Sequence, residues 1–361
     1  MAGKKIVVGM SGGVDSSVAA YLLKEEGYEV IGVTMQIWQD MPSALQEEEG
    51  GCCGLTAAED ARRVAETLGI RHYVMNFKKE FRENVMDYFI REYLQGRTPN
   101  PCIACNRYVK WDALLKKSLA LGADYIATGH YAQVERLANG RYAVRNSVTA
   151  AKDQTYALYN LTQDQLAHTK MPVGAYAKEE IRAIAEKIGL SVAHKKDSQE
   201  ICFIPDHDYA GFIDRECGES VPPPGAFVSV QGEVLGTHRG ITHYTVGQRK
   251  HLGIALGYPV FVTEIRPEKN EVVLGTDEQV YTDRLYAGSL HAMALPDLAD
   301  GMKLTAKIRY SHAGSRCVVR RIKEDEICCE FEEPVRAVTP GQAVVLYDGA
   351  YVAGGGTILR R

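Results

Sequence analysis

A glycine- and serine-rich loop near the start of the chain carries residues that suit the binding of an anion. Two adjacent glycines, Gly12 and Gly13, let the backbone turn tightly and leave no Cβ in the way of a ligand. Backbone N–H groups of such a loop can point into one concavity, to which serine hydroxyls add donors. Asp15 would repel a phosphate unless a cation lay between them, which suggests Mg²⁺. The members of the loop are Gly9, Met10, Ser11, Gly12, Gly13, Val14, Asp15 and Ser16.

Thiols supply a second kind of chemistry. Cys102 and Cys105 form a C-x-x-C pattern, which serves redox pairs and metal sites alike, and the chain has no second C-x-x-C to complete a four-ligand zinc site. Cys105 is predicted near the N-terminus of a helix that begins at Asn106, where the partial positive charge lowers the pKa of a thiol. Cys202 lies in an apolar run, which taken alone favours a buried and unreactive thiol.

The loop is predicted to lie between a buried strand, residues 4–8, and a helix, residues 16–24. It lacks the lysine of the Walker A pattern and the spacing of G-x-G-x-x-G. It matches Ser-Gly-Gly-x-Asp-Ser, the PP-loop of enzymes that split ATP into AMP and pyrophosphate. An ordinary glycine-rich turn between strand and helix is the alternative.

Strand and helix patterns continue to alternate through the first half of the chain, which predicts a parallel sheet covered on both faces. Ligands of such sheets bind at the carboxyl ends of the strands. Met10, Met35 and Gly129 fall at such ends, and Met35 and Gly129 are candidates to contact adenine and ribose; Met35 as a plain core residue is the alternative. Predicted strands cover 28–35, 71–77 and 124–131, and predicted helices cover 56–68, 81–95, 106–121 and 178–188.

Two further stretches stand out in this half. The acidic segment 39–54, which ends in Cys52-Cys53-Gly54, is predicted to be a mobile lid, and its adjacent cysteines are given no role. A hairpin is predicted over 133–148 with its turn at Asn139-Gly140.

After about Cys217 the pattern changes, and short alternating segments separated by glycine-rich turns replace the helices. The segments predicted as strands are 226–230, 260–265 and 271–274 and, in a second set from about Leu285 onward, 302–310, 317–322, 327–331 and 343–347. We predict a PP-loop domain over 1–217, a central small β domain over 218–284 and a C-terminal β-barrel domain over 285–361. The last domain carries cations and one ring able to stack, which suit a phosphate backbone with an occasional base, although a solvated barrel face is the alternative. These residues are Lys307, Arg309, Tyr310, Arg316, Arg320 and Arg321.

Length and composition set limits on the function. A chain of 361 residues is long enough for two or three domains, and its formal net charge of −4 means that nucleic acid would bind only to a local basic face. No apolar run approaches a membrane span, and Met1 leads directly into the first strand without an apolar signal segment. Nine cysteines in such a chain indicate the reducing cytoplasm.

The assembled motifs resemble, in order and over essentially the whole chain, the bacterial-type tRNA-uridine 2-sulfurtransferases, or tRNA-specific 2-thiouridylases. The implied fold is an α/β parallel-sheet PP-loop domain of the adenine nucleotide alpha hydrolase-like kind, followed by two small, mainly β domains. Besides the loop, the matching stretches are Arg97-Thr98-Pro99-Asn100-Pro101, Cys105-Asn106, Ala127-Thr128-Gly129-His130-Tyr131, Lys152-Asp153-Gln154, Lys196-Asp197-Ser198, Ile201-Cys202-Phe203-Ile204, Gly247-Gln248-Arg249-Lys250 and Val338-Thr339-Pro340-Gly341-Gln342.

The resemblance implies that the loop binds ATP with Mg²⁺ and helps to transfer AMP to O2 of the wobble uridine in the anticodon loop of tRNA. Met35 and Gly129 would complete the ATP site. Cys202 would carry a persulfide, supplied by a cysteine desulfurase or a sulfur-relay protein, and Cys105 would be the partnering nucleophile. The positions implied to touch tRNA are His130, Lys152, Asp153, Gln154, Arg309, Tyr310 and Gln342.

The chemistry of the residues agrees with that implication. A carbonyl oxygen of uracil is a poor leaving group, and adenylylation converts it into AMP. A persulfide on Cys202 can then supply the sulfur, and attack by the Cys105 thiolate frees sulfide and leaves a disulfide that must later be reduced. A base in a single-stranded loop can leave its stack at little cost.

One position departs from the family pattern. Many members have Asp, a proposed acid or base, where this chain has Cys102, so that Asn100 and Cys102 are candidates to meet the target base. Cys102, Cys105 and Cys202 could instead hold a [4Fe–4S] cluster with one iron open to sulfide. The persulfide route is the prediction and the cluster is its alternative.

Two other classes of function compete with RNA thiolation. One is a PP-loop ATP pyrophosphatase that activates a small molecule, such as an amidotransferase-type synthetase; the chain has no N-terminal catalytic cysteine for a glutaminase unit. The other is a non-catalytic RNA-binding protein with a relic nucleotide fold, in which Asp15 would be dispensable.

Overall fold

The computed structural model describes residues 3–37, 55–195 and 201–360. The predicted lid with Cys52 and Cys53, and the Lys196-Asp197-Ser198 stretch, lie outside the described residues. The α-helices in chain order are α1 (Val14–Glu25), α2 (Leu55–Leu68), α3 (Lys78–Phe81), α4 (Asp87–Leu94), α5 (Pro101–Ala104), α6 (Leu115–Ala120), α7 (Gln163–Ala167), α8 (Lys178–Lys187) and α9 (Tyr209–Cys217).

The strands alternate with these helices at first and then follow one another. They are β1 (Lys5–Gly9), β2 (Glu29–Gln36), β3 (Arg71–Asn76), β4 (Tyr125–Ala127), β5 (Ala132–Arg136), β6 (Tyr142–Asn146), β7 (Thr169–Lys170), β8 (Gly225–Ser229), β9 (Val234–His238), β10 (Phe261–Arg266), β11 (Glu271–Gly275), β12 (Tyr281–Ala292), β13 (Lys303–Lys307), β14 (Ser315–Lys323), β15 (Glu326–Arg336), β16 (Ala343–Asp348) and β17 (Tyr351–Ile358).

The chain folds into two compact units. Unit 1 comprises Met1–Val85, Cys102–His207 and Ala350–Val352, and unit 2 comprises Met86–Pro101, Asp208–Gly349 and Ala353–Arg361. The predicted domain boundaries after residues 217 and 284 remain predictions.

Unit 1 is built on a parallel sheet with the strand order β3-β2-β1-β4-β7, as the alternation of strands and helices predicted. Ile6 of β1 lies opposite Val30 of β2 and Tyr125 of β4. Ile6 and Val8 are fully buried and pack with Val18 of α1. Because both faces of a parallel sheet are covered, such a strand reads as a continuous apolar run. The carboxyl ends of β1, β2 and β4 therefore lie at one edge of the sheet.

The helix predicted to begin at Asn106 starts five residues earlier. Pro101 opens α5, and the chain continues as a π-helical stretch, Cys105–Leu114, into α6. Proline suits the first helical position because its ring fixes φ and because the N–H it lacks would have no partner there. Cys105, which was predicted near the start of this helix, lies just beyond its first turn, and the first turn, where the partial charge is concentrated, carries Cys102.

The predicted helix over 81–95 is likewise subdivided into α3, a π-helical turn Arg82–Met86, and α4. The predicted hairpin is confirmed as β5 and β6 of unit 1, paired in antiparallel fashion. Its turn contains Gly140 with a φ of +82°, and the Asn139 side chain accepts a hydrogen bond from the Arg141 N–H at 3.0 Å.

The C-terminal half of unit 2 forms the predicted barrel. Its strands follow the order β12-β15-β14-β13-β16-β17, and β12 also pairs with β17, which closes the sheet and removes its edges. The sequence analysis missed β17 because three adjacent glycines disfavour a strand. They are needed where the backbones meet: a Cβ on Gly354 would lie 2.3 Å from the His291 carbonyl oxygen.

The other sheet of unit 2 has the order β10-β11-β8-β9. β8, β10 and β11 match predicted segments, whereas β9 was not predicted. Phe227, Val262 and Val272 are fully buried in its core. Across the described ranges of both units, no helix combines the length and the apolar character needed to cross a membrane.

Candidate active site

The Gly9–Ser16 loop follows β1 and is fixed to its neighbours at both ends. The Met10 N–H donates to the Val33 carbonyl at 2.8 Å, and the Met10 carbonyl accepts from the Thr34 hydroxyl at 2.9 Å. The Ser16 hydroxyl accepts from the Ser11 N–H at 3.2 Å and lies 3.2 Å from the Gly13 carbonyl, to which it donates. The loop is thus closed onto the start of α1, where a helix favours negative charge.

Two positions of the site need glycine because neighbouring backbone atoms lie too close for a Cβ atom. Gly12 has a φ of +66°, and a Cβ there would lie 2.4 Å from the Ala57 carbonyl oxygen. A Cβ on Gly129 would lie 2.5 Å from the Ser16 backbone nitrogen. The segment after β4 therefore lies directly against the N-terminus of α1, and only glycine fits between them.

The carboxylate of Asp15 already has a cationic partner. The Lys178 ammonium, on α8, lies 2.8 and 2.9 Å from its two oxygens, and the Tyr131 hydroxyl donates to Oδ1 at 2.7 Å. The side chain of Lys178 is only 7% exposed. Lys178 therefore meets the need for positive charge from which the sequence analysis deduced Mg²⁺, although a carboxylate oxygen is also a ligand that Mg²⁺ accepts.

Sequence reasoning missed Lys178, and no local signal could have found it, because it lies 163 residues from Asp15 in the chain. A second lysine, Lys195, approaches the same loop. Its ammonium donates to the Gly12 carbonyl at 3.2 Å and pairs with Asp60 at 2.7 Å. Two lysines from distant parts of unit 1 thus lie beside a loop that has no lysine of its own.

The predicted nucleotide residues gather at the expected edge of the sheet. Met10 directly follows β1, Met35 is near the end of β2, and Gly129 follows β4 closely. Met35 is 9% exposed and lies opposite Met75 of β3. This placement suits contact with a base, and the assignment of Met35 to ATP stays a prediction.

The three thiols differ in exposure. Cys102 is exposed, whereas Cys105 and Cys202 are partly exposed. Cys202 is therefore not the buried thiol that its apolar run alone favoured; the neighbouring Phe203 and Ile204 are the buried members, each 3% exposed. Phe203 packs edge-on against Phe81 with ring centroids 5.7 Å apart, which anchors the segment beside the thiol.

A cluster site receives no support from this arrangement. Within residues 3–37, 55–195 and 201–360, no three His, Cys, Asp or Glu side chains come together to hold a metal ion. Cys102, Cys105 and Cys202 all belong to these ranges.

His130 lies beside the loop and is held as a neutral ring. Its Nδ1 is 2.7 Å from the Thr128 hydroxyl, and its ring is 5.6 Å from that of Trp111. Removal from water, with a smaller contribution from the charge of Lys110, keeps the pKa of His130 well below its ordinary value. A neutral imidazole offers hydrogen bonds and stacking to RNA rather than a charge for phosphate.

Two of the three residues in the Lys152–Gln154 stretch have structural tasks. The Asp153 carboxylate accepts from the Ser147 N–H at 2.9 Å and from the Thr155 hydroxyl. The Gln154 side chain accepts from the Tyr131 N–H at 2.9 Å, and the Gln154 N–H donates to the Tyr131 carbonyl at 3.0 Å. Gln154 thus positions the tyrosine that holds Asp15.

The remaining predicted tRNA residues belong to unit 2. Tyr310 is 47% exposed, and the Arg309 guanidinium donates to the Arg336 carbonyl at 2.9 Å. The Gln342 amide donates to the backbone carbonyls of Thr98 and Pro99. Asn100 follows directly in the same segment.

Two members of the predicted basic set of the barrel are already paired with carboxylates. Arg320 pairs with Glu330 at 2.8 Å, and Arg321 pairs with Asp297 at 3.1 Å. Their charges are thus matched by carboxylates, which leaves the region around Arg309 and Tyr310 as the better candidate surface for a phosphate backbone.

Comparison with known proteins places this chain in a family. A protein of Lachnoclostridium phytofermentans called tRNA-specific 2-thiouridylase MnmA is 67% identical over 357 residues, which cover 99% of this chain and 100% of that protein. Proteins of the same name from Clostridium acetobutylicum and Clostridioides difficile are 56% and 52% identical, each covering 98% of this chain and 99% and 98% of their own length. The chain belongs to the tRNA-specific 2-thiouridylase family.

Family models also match the three parts of this 2-thiouridylase family member. They are described as a tRNA methyl transferase HUP domain over residues 4–206, a tRNA methyl transferase PRC-barrel domain over 210–276 and an aminomethyltransferase beta-barrel domain over 282–358. The first of these contains the Gly9–Ser16 loop, Gly129 and all three candidate thiols. The last contains the closed barrel.

Proposed function

We propose that this chain catalyses the reaction for which its relatives are named, the ATP-dependent 2-thiolation of uridine in tRNA, and that the target is the wobble uridine. The observation that carries the proposal is the loop after β1, closed by Ser11 and Ser16 and overlain by Gly129. In a 2-thiouridylase relative, such a cradle suits the phosphates of ATP.

The first step is adenylylation. O2 of the uracil attacks the α-phosphorus of ATP, the bond to the bridging oxygen breaks, and pyrophosphate leaves with the electron pair. The loop and the start of α1 would hold the phosphates, with Met35 and Gly129 beside the nucleoside. Lys178 and Tyr131 fix the Asp15 carboxylate, whose oxygens would hold Mg²⁺; the ion would shield the charge of the phosphates.

The second step is sulfur transfer. Cys202 carries a persulfide, and the Cys105 thiolate attacks the sulfur bonded to the Cys202 side chain. The outer sulfur leaves as hydrosulfide and attacks C2 of the activated base; AMP departs with the former O2, and the proton of the hydrosulfide passes to solvent. The Cys105–Cys202 disulfide is then reduced by an external thiol. Both thiols are accessible, as this exchange requires.

The RNA would be held at two places. Lys152 and the neutral His130 lie in unit 1, and Arg309 with the exposed Tyr310 lies in unit 2. Tyr310 offers a face on which a base can stack. Asn100, at the end of the 97–100 segment, and Cys102 are the candidates to meet the target base. The partners are the anticodon loop of tRNA and a cysteine desulfurase or sulfur-relay protein, in the cytoplasm.

The test is mass analysis of tRNA nucleosides after incubation with ATP, Mg²⁺ and a cysteine desulfurase as sulfur donor. We expect 2-thiouridine only when ATP is present, together with pyrophosphate and AMP. Cys202→Ser abolishes the product. Cys217→Ser is the matched control, since Cys217 is also a partly exposed thiol but has no role in the proposal.

Three results would contradict the proposal. Sulfur incorporation without nucleotide consumption removes the activation step. Pyrophosphate release that needs a small acceptor and no tRNA identifies a small-molecule PP-loop enzyme instead. A methylated rather than thiolated nucleoside would favour the activity in the name of the family model over that in the names of the relatives.

A further inference from the structure

The segment Arg97–Asn100 leads directly into the helix that carries Cys102 and Cys105, yet its shape depends on a distant part of unit 2. The Thr98 N–H donates to the Pro340 carbonyl at 2.8 Å. The Gln342 Nε2 donates to the Thr98 carbonyl at 3.0 Å and to the Pro99 carbonyl at 3.2 Å. Three backbone groups of the segment are thus bonded to residues more than 240 positions later in the chain.

The turn that makes these bonds, Pro340–Gln342, is itself fixed in the barrel. The Gly341 N–H donates to the Ile358 carbonyl at 3.0 Å, and the Ile358 N–H donates to the Gln342 carbonyl at 2.8 Å. Gly341 has a φ of +89°, and a Cβ there would lie 2.9 Å from Arg97 Cβ and 3.0 Å from the Thr98 nitrogen. The turn and the segment are therefore in close backbone contact, for which glycine is needed.

The other side of the segment is held by α4. Arg97 donates through Nε to the Glu92 carboxylate at 2.7 Å and forms a second bond to it through the guanidinium, and the Arg97 N–H donates to the Glu92 carbonyl at 2.9 Å. Glu92 is only 7% exposed, and such a two-bond pair fixes geometry. Glu92 and the Pro340–Gln342 turn thus both restrain the segment that ends at Asn100.

We infer that Gln342 is a positioning residue, whose amide orients the Thr98–Pro99 backbone and through it Asn100 at the target base. This inference rests on the proposed function. A displaced segment would misplace the base relative to the reacting groups, which lowers the rate of the chemical step without weakening the hold on the RNA backbone.

The test separates rate from affinity. Gln342→Met keeps the length of the side chain and removes the donor. We expect the single-turnover thiolation rate at saturating tRNA to fall by about 10- to 100-fold, with the Kd for tRNA within about twofold of wild type. Gly341→Ala should also lower the rate with little change in Kd, because its added Cβ would push against Arg97 and Thr98. Gln279→Met is the matched control, because the Gln279 side chain also anchors a turn of unit 2, to the Thr276 N–H at 2.9 Å.

Hydrogen exchange gives a readout that does not depend on activity. In wild type the Thr98 amide is bonded and should exchange slowly; in Gln342→Met the peptide that spans 97–101 should exchange faster, whereas Gln279→Met leaves it unchanged. A rise in Kd that exceeds the fall in rate, or unchanged exchange over 97–101, overturns the inference. An inactive wild-type enzyme overturns the proposed function instead, and the exchange experiment still decides the role of Gln342.

Discussion

The Gly9–Ser16 loop and the 97–100 segment perform comparable tasks, since each leads from one regular element into a helix with reactive groups, but they obtain their shapes differently. The loop is closed mainly by bonds among its own residues, such as Ser11 to Ser16. The segment is held by a nearby residue at Arg97, and its Thr98 and Pro99 backbone groups are bonded to the distant turn Pro340–Gln342. A loop that is closed by its own residues can be predicted from a local sequence pattern. A backbone conformation that is imposed by residues distant in the chain cannot.

The Gly9–Ser16 loop also depends on a distant residue, Gly129, and we expect Gly129→Ala to have the largest effect of the variants considered. The added Cβ would meet the backbone of Ser16 at 2.5 Å, so α1 or the Gly129 segment must shift. We expect ATP-dependent thiolation to fall by about 100-fold or more, because a shift of about 1 Å can cost that much. The measurement is tRNA-dependent pyrophosphate release.

Gly9→Ala provides the comparison within the same site. Its Cβ would have no atom closer than 3.8 Å, which is ordinary contact. Its loss should be smaller than that of Gly129→Ala by about tenfold or more. Equal losses in the two variants would mean that the site requires glycine for flexibility rather than for close approach.

Lys178→Met removes the positive charge that a residue far along the chain brings to Asp15. We expect it to have the next largest effect. It leaves the Asp15 carboxylate, 28% exposed, without its cation and next to the expected phosphates. We expect the KM for ATP to rise by about tenfold, and stability to fall by about 1–3 kcal/mol, less than for a fully buried pair. Pyrophosphate-release kinetics and thermal melting measure the two effects.

The matching control for Lys178 is the double variant with Asp15→Asn. If the lysine acts by neutralising Asp15, the loss of stability caused by Lys178→Met should be much smaller in the Asp15→Asn background. An unchanged loss would show that Lys178 acts by packing and not through the carboxylate.

The smallest effect concerns pH. The lowered pKa of His130 means that the unfolded chain binds a proton near pH 6.5 that the folded protein binds only at lower pH. Above about pH 6.5, His130 is neutral in both states and its burial costs the folded protein nothing through protonation. As the pH falls below that value, the free energy of unfolding decreases by roughly 1.4 kcal/mol per pH unit. His130→Gln should melt with a shallower pH dependence between pH 6.5 and 5; an identical slope would place the ring in water.

Several elements followed from local patterns. The parallel sheet of unit 1 could be predicted because buried strands and amphipathic helices have different apolar periods. The hairpin turn at Asn139-Gly140 and the anion loop could be predicted because glycine has backbone conformations that other residues avoid. The start of the Cys102–Cys105 helix was placed too late, although Pro101 is a residue that suits the first helical position.

Local patterns were enough to identify the groups with chemistry: a glycine-rich loop for phosphate, a carboxylate that needs a cation, and thiols able to exchange sulfur. The residues that hold these groups in place became known from the folded chain. It brought Lys178 and Tyr131 to Asp15, closed the barrel with the glycines of β17, and fixed the 97–100 segment by Gln342. The physical reason is that periodicity and turn chemistry act over a few residues, whereas ion pairs, backbone contact and barrel closure join residues that only folding brings together.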